Sequence, residues 1–177
     1  MTRIAVVGCG YVGGVSAACF AELGHQGDCI DVNADRIASY RRGQSPIFEP
    51  GLDELLAKGI ASGRLSFHDR YPDRIDAEIV FIAVNTPGSQ EGAADLRAVR
   101  DAVSSVAPRL APGSIIVNKS TVPIGTGDLV EGMARRATDT PIFVVSNPEF
   151  LREGSAVPDF MRPDRIVLGS NEPEAIE

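Results

Sequence analysis

Two stretches of this 177-residue chain hold residue types that could do chemistry, and they lie far apart. The first is GCGYVG, read as Gly8-x-Gly10-x-x-Gly13, with Asp31 about 18 residues further on. A glycine turn opening a helix offers free backbone N–H groups and a partial positive charge to phosphates. A carboxylate at that later position accepts hydrogen bonds from ribose hydroxyls. The second stretch is NPEFLREGSA, residues 147–156, which sets Glu149, Arg152 and Glu153 directly after the apolar run IFVVS. It can start a solvated helix with Asn147 as cap, or it can carry half of a substrate site at a strand end.

Each glycine of the first stretch has a separate expected task. Gly8 takes the tight turn, Gly10 lets backbone approach a pyrophosphate, and Gly13 lets the helix pack against the strand. Asp31 would accept both hydroxyls of an adenosine ribose and repel a 2′-phosphate, which favours NAD over NADP. Arg36 complicates this, since an arginine attracts such a phosphate, but Asp31 stands at the strand terminus itself. The plain alternative is a ligand-free glycine turn with an aspartate capping the next helix. FAD uses the same fingerprint, with companion motifs that are not found here.

The elements that must position these residues alternate between short apolar runs and helical patterns, which predicts a doubly wound, mostly parallel α/β sheet with helices on both faces. Strands are expected at 3–8, 27–31, 65–68, 78–84, 114–120, 141–146 and 165–170. Helices are expected at 11–24, ended by Gly24, at 33–42 with Asn33 as N-cap, and at 52–59, 95–107 and 126–137. In such a sheet ligands gather at the carboxyl ends of the strands. Three of those ends carry compact polar loops: NTPG (85–88), with Thr86 and the stiffening Pro87; KSTVPIGTGD (119–128), with Lys119, Ser120, Thr121 and Thr126 as a possible cap; and NPEFLREGSA. Each alone is an ordinary turn, but three on one rim point to a site.

Composition fits a soluble globular protein, with 44% hydrophobic and 23% charged residues. A net charge of −7 argues against general nucleic-acid binding. It leaves room for a small anionic ligand held by local N–H groups. Cys9, Cys19 and Cys29 match no zinc spacing, and no metal site is expected. Cys19 and Cys29 are expected to be packing residues, and Cys9 borders the pyrophosphate. His25 and His68 show no partner in the sequence. The glycine-interrupted start is not read as a signal peptide, and no run approaches a membrane span. A cytoplasmic setting follows.

The motifs GCGYVG, GQSPIFEPGL (43–52), FIAVNTP (81–87), KSTVPIGT (119–126), and NPEFLREGSA followed by PDRIVLG (163–169) together make the chain resemble the NAD-binding N-terminal domain of the UDP-glucose/GDP-mannose 6-dehydrogenases. A generic dinucleotide-binding protein would share only the first motif. The resemblance covers nearly the whole chain, so residues 1–177 are expected to form that one domain, with the family's central helix and C-terminal nucleotide-sugar domain absent. It implies oxidation of C6 of a nucleoside-diphosphate hexose, UDP-glucose in the first instance, from alcohol to carboxylate with reduction of two NAD. It implies cofactor contacts at Gly8, Gly10, Tyr11, Val12, Gly13, Asp31, Arg36, Thr86, Thr121 and Glu153. The family often has lysine where Arg36 stands. It further implies that Glu149, Phe150, Leu151, Arg152 and Glu153 line the nucleotide-sugar side.

Within the implied chemistry an aldehyde is trapped by a cysteine thiolate and oxidised to a thioester, which water cleaves. Glu149 resembles the glutamate that holds and activates that water, and Thr121 resembles the threonine bonded to it. The nucleophilic cysteine and its lysine, asparagine and aspartate partners belong to later regions of the family. The chain alone is therefore expected to be catalytically incomplete, and the full-length protein to be a homodimer. Two other readings share the glycine loop. A stand-alone NAD-binding regulatory module does not need NPEFLREG, and a 2- or 3-hydroxyacid dehydrogenase gives no account of it.

Overall fold

The central strands are short apolar runs covered on both faces, so alternate side chains supply two separate cores. In β1 (Arg3–Val7), Ile4 and Val6 point to one core while Ala5 and Val7 point to the other. The computed structural model describes residues 1–88 and 93–176. Its remaining strands are β2 (Gln26–Ile30), β3 (Leu65–His68), β4 (Ile79–Ile82), β5 (Ile115–Asn118) and β6 (Phe143–Ser146). They form one six-stranded sheet in the order β3-β2-β1-β4-β5-β6, parallel at every pairing.

The first core packs α1 (Tyr11–Glu22), α2 (Ala34–Arg41), α3 (Leu52–Ala61) and α6 (Ala156–Met161) against the sheet. The second packs α4 (Arg97–Val106) and α5 (Thr126–Ala137) on the opposite face. Helix α1 is built almost wholly of small or apolar residues because it is buried nearly all round, from Gly13 to Cys19 without a break. Gly24, at φ +94°, turns the chain after it. Asn33 caps α2 as its position predicts, accepting the Arg36 N–H at 2.9 Å. No described helix is long and apolar enough to cross a membrane.

Three expectations about local structure fail. The run at 165–170 forms no strand. Only Ser146 and Gly169 bridge, antiparallel, while Ile166, Val167 and Leu168 stay exposed. An apolar run becomes a strand only where a ladder and a covered face are both available, and one bridge supplies neither. Thr126 is not the cap of α5. That place belongs to Gly125 at φ +87°, and the Thr126 hydroxyl donates back to the Pro123 carbonyl at 2.7 Å. Nor does a helix start at Asn147; the segment stays irregular until α6 opens at Ala156.

Candidate functional site

Strand order reverses between β1 and β4, since the chain winds outward from β1 to β2 and β3 and then returns to the other side of β1. Such a reversal opens a crevice at the strand carboxyl ends. A cleft of about 150 Å³ lies there, lined by Tyr11 and Val12 after β1, by Ala83 to Thr86 after β4, and by Lys119 to Thr121 after β5. It brings together Tyr11, Val12, Thr86 and Thr121 from the expected site. A larger hollow of about 310 Å³ lies between the end of α5 and the start of β6. It is at the opposite end of the strands and holds none of the expected residues.

The glycines below the cleft differ in what constrains them. Gly8, at φ +94°, has no room for a side chain, because a Cβ would lie 2.6 Å from the Ala83 carbonyl oxygen. At Gly13 a Cβ would lie 1.8 Å from the Gly8 carbonyl oxygen, so α1 can dock on the turn only without one. Gly10 faces open space, with Asn85 Oδ1 as its nearest neighbour at 3.5 Å. A Cβ at Gly10 would make no clash in the protein and would stand in the cradle instead. Gly10 also begins α1 with no side-chain cap and no acid in the first turn, leaving the helix N-terminus suited to a diphosphate.

Asp31 is 7% exposed and already engaged. Its Oδ2 accepts the Cys9 N–H at 2.7 Å and Arg36 Nη1 at 2.8 Å, and its Oδ1 accepts the Asn33 N–H at 2.8 Å. A carboxylate has roughly four acceptor sites. One ribose hydroxyl can bond without displacing anything, and a second requires Arg36 to swing aside. Arg36 is thus held as a partner of Asp31, which neutralises the carboxylate locally.

The rim is stitched across strands. Thr86 Oγ1 donates to the Thr121 carbonyl at 2.6 Å, and Ser120 Oγ donates to the Val84 carbonyl at 2.8 Å. Lys119 is buried, and its Nζ donates to Asn147 Oδ1 at 3.0 Å, while Asn147 Nδ2 donates to the Val167 carbonyl at 3.0 Å. Burial lowers the Lys119 pKa, against the opposing charge of Glu149. Asn147 is therefore a tie between strand ends rather than a helix cap.

The rest of NPEFLREGSA does not converge on the cleft. Glu149 folds back to accept the Leu151 N–H at 2.6 Å, and Leu151 packs on the first core. Phe150 is exposed under the Arg165 guanidinium. Arg152 forks onto Asp159, with Nε–Oδ2 at 3.0 Å and Nη2–Oδ1 at 2.7 Å, which pulls the Asp159 carboxyl far below its ordinary range. Glu153 is exposed, and its charge bears on Tyr11. Among the described residues no hydrogen bond joins Thr121 to Glu149; they follow neighbouring strands β5 and β6.

One buried acid beside the site has no role assigned from the sequence, although its segment GQSPIFEPGL is among the motifs that carry the family resemblance. Glu49, 6% exposed, accepts the Tyr11 hydroxyl at 2.7 Å, the Gly154 N–H at 2.9 Å and the Ala156 N–H at 2.8 Å. It stands in a Pro/Gly-marked loop, where residue types alone indicate a turn. A buried partner more than a hundred residues away cannot be read from such a loop.

The three cysteines are buried free thiols. Burial pushes the Cys9 thiol far above its ordinary pKa and Cys19 up to about 12, so neither is poised as a thiolate. Both histidines do have partners. His25 Nδ1 accepts the Thr2 N–H at 3.4 Å, and His68 Nε2 lies 3.1 Å from Asp28 Oδ1 and 3.1 Å from Ser66 Oγ. Ser66, His68 and Asp28 meet at one carboxylate oxygen beside the edge strand, with the same imidazole nitrogen facing both neighbours. That leaves no second nitrogen oriented as in a catalytic relay. Among the described residues no cluster of histidine, cysteine and acid could hold a metal ion.

Comparison with known proteins gives a consistent result. Residues 2–177 match the UDP-glucose/GDP-mannose dehydrogenase family, NAD binding domain. The UDP-glucose 6-dehydrogenase of Pseudomonas aeruginosa is 48% identical over 99% of the chain, and that of Rhizobium meliloti 50% identical over 94%. The chain spans 40% and 39% of those two relatives' own length. The solved UDP-glucose dehydrogenase of Pyrobaculum islandicum superposes with a TM-score of 0.91 at 42% identity, covering 99% of this chain and 42% of that one.

Proposed function

Given that the chain belongs to the UDP-glucose/GDP-mannose dehydrogenase family and matches its NAD-binding domain, we propose that it serves a nucleotide-sugar 6-dehydrogenase. That enzyme would oxidise C6 of a nucleoside-diphosphate hexose to the uronate with two NAD. UDP-glucose is the favoured substrate because the relatives at 48% and 50% identity are UDP-glucose 6-dehydrogenases. The observation that carries the reading is the cleft at the β1/β4 reversal, floored by an uncapped helix start at which Gly10 leaves a cradle open.

In this reading Gly8, Gly10, Val12 and Gly13 hold the diphosphate, and Asp31 with Arg36 holds the adenosine ribose. Tyr11, Thr86, Thr121 and Glu153 border the nicotinamide half. NAD, when bound, supplies the hydride acceptor. Glu149 follows β6 on the same rim and is the candidate base for the hydrolytic water, with Thr121 orienting it. Glu149 to Glu153 face the sugar once Glu149 turns from the Leu151 N–H and Arg152 from Asp159. We assign residues 1–177 to the NAD domain. The nucleophilic cysteine and the nucleotide-sugar domain are assigned to the length that the relatives have and this chain does not span. The complete protein is taken to be a cytoplasmic homodimer.

Titration of the chain with NAD tests the binding half of this reading, and Asp31→Ala should weaken binding about tenfold or more, the worth of one charge-assisted hydrogen bond. Unchanged affinity in that variant would remove Asp31 from the site. Incubation with NAD and UDP-glucose should give no sustained rise of NADH absorbance; steady turnover would refute the assignment of the nucleophile elsewhere.

A further inference from the structure

The loop after β6 is tied to the glycine-turn helix in part by a side chain that comes from neither. Glu49 lies in the loop between α2 and α3, yet its two oxygens take three donors: Tyr11 and Gly154 on Oε2, and Ala156 on Oε1. Gly154 stands at φ +83°, and Ala156 opens α6, whose preceding Ser155 makes no side-chain cap. Glu49 supplies that cap from 107 residues away. The Tyr11 oxygen also lies 2.8 Å from the Arg152 carbonyl. One phenolic hydrogen serves both acceptors, and the carboxylate is the stronger.

Tyr11 is the first residue of α1 and a wall of the cleft. Anything that presses on that helix start therefore bears on Glu49, and through it on the turn at 152–156. Glu49 itself is 6% exposed; its bond to Ala156 is buried, and those to Tyr11 and Gly154 are partly buried.

We propose that Glu49 is a positioning residue that makes the cleft floor and the 152–156 turn one mechanical unit, so that NAD affinity and the order of that turn are coupled although Glu49 does not line the cleft. The inference rests on the NAD site proposed above. Coupling of this kind is reciprocal: if the turn helps NAD bind, NAD must protect the turn by the same factor.

The test uses Glu49→Gln in the chain as it stands. An amide cannot accept at both oxygen positions, so it loses at least one bond and sets an N–H against another donor while keeping the volume. Amide hydrogen exchange at Gly154 and Ala156 should speed up by roughly tenfold, and the NAD dissociation constant should rise by roughly tenfold. NAD should slow exchange at both amides in the unaltered chain and do so much less in the variant. A purely structural role would change exchange without changing affinity or NAD protection, so faster exchange with unchanged affinity overturns the proposal. Unchanged exchange overturns it as well. If Glu49→Gln does not fold by circular dichroism, Tyr11→Phe leaves both backbone bonds to Glu49 and removes the hydroxyl's bonds to Glu49 and to the Arg152 carbonyl. It should lose NAD protection at Gly154, and full protection there refutes the coupling. Absence of NAD binding by the unaltered chain would instead defeat the underlying site assignment, and this inference with it.

Discussion

The turn after β1 and the loop after β6 both end a parallel strand on the same rim, but they are held by different forces. After β1, the glycine turn is fixed by sterics among near neighbours and one adjacent strand: Gly13 on Gly8, and Gly8 on Ala83. After β6, almost nothing is fixed sterically. Leu151 packs on the core, but the loop otherwise keeps its shape through polar ties to Lys119, Asp159 and Glu49. The first region leaves Gly8 and Gly13 no room to be replaced, whatever the ligand does. The second is held by charges that could be redirected, with Glu149 on its own backbone and Arg152 on Asp159. In a site of this kind the cradle suits the invariant part of a ligand, and the adjustable loop suits the part where chemistry occurs.

The contrast can be broken at its strongest point with Gly13→Ala. Its Cβ meets backbone that cannot yield, so unfolding stability should fall by about 3 kcal/mol in urea titration. A loss below about 1 kcal/mol would mean that the turn is not sterically fixed. Gly10→Ala sharpens the same comparison, because the new methyl fills only the cradle. NAD affinity should drop at least tenfold, about 1.4 kcal/mol, while stability changes by less than about 1 kcal/mol. Equal loss of both would refute the open cradle. Asn33→Ala removes the α2 cap beside Asp31 and should cost about 1 kcal/mol in stability.

The smallest effect belongs to the loop side. Burial depresses the folded-state pKa of Lys119 below its unfolded value of 10.5. Between those two values the unfolded chain binds more protons, so stability rises with pH across that window. Lys119→Met removes the group, and its stability should rise less from neutral pH to about 10 than that of the unaltered chain. Parallel curves from urea midpoints would show that burying this cation costs nothing.

What was legible follows the same division. The alternation of buried runs and helices, the glycine turn, the Asn33 cap and the rim position of NTPG and KSTVPIGT all depend on residues close in sequence. The strand proposed at 165–170 and the helix start at Asn147 failed because both turn on what lies beside the segment. Apolar residues at 166–168 found one bridge and no cover, and Asn147 found Lys119 from the next strand. Glu49 was missed for the same reason.

The sequence by itself determined the wound sheet, the phosphate-suited helix start and the family to which the chain belongs. The sheet and the helix start are consequences of periodicity and of local backbone sterics, which a linear string records, and the family follows from the likeness of its motifs. Only the tertiary structure decided that Asp31 is shared with Arg36, that Arg152 faces Asp159, and that a buried glutamate ties two halves of the rim together. Hydrogen bonds to buried charges depend on distance in space, and the strand order that sets those distances is a property of the packed sheet.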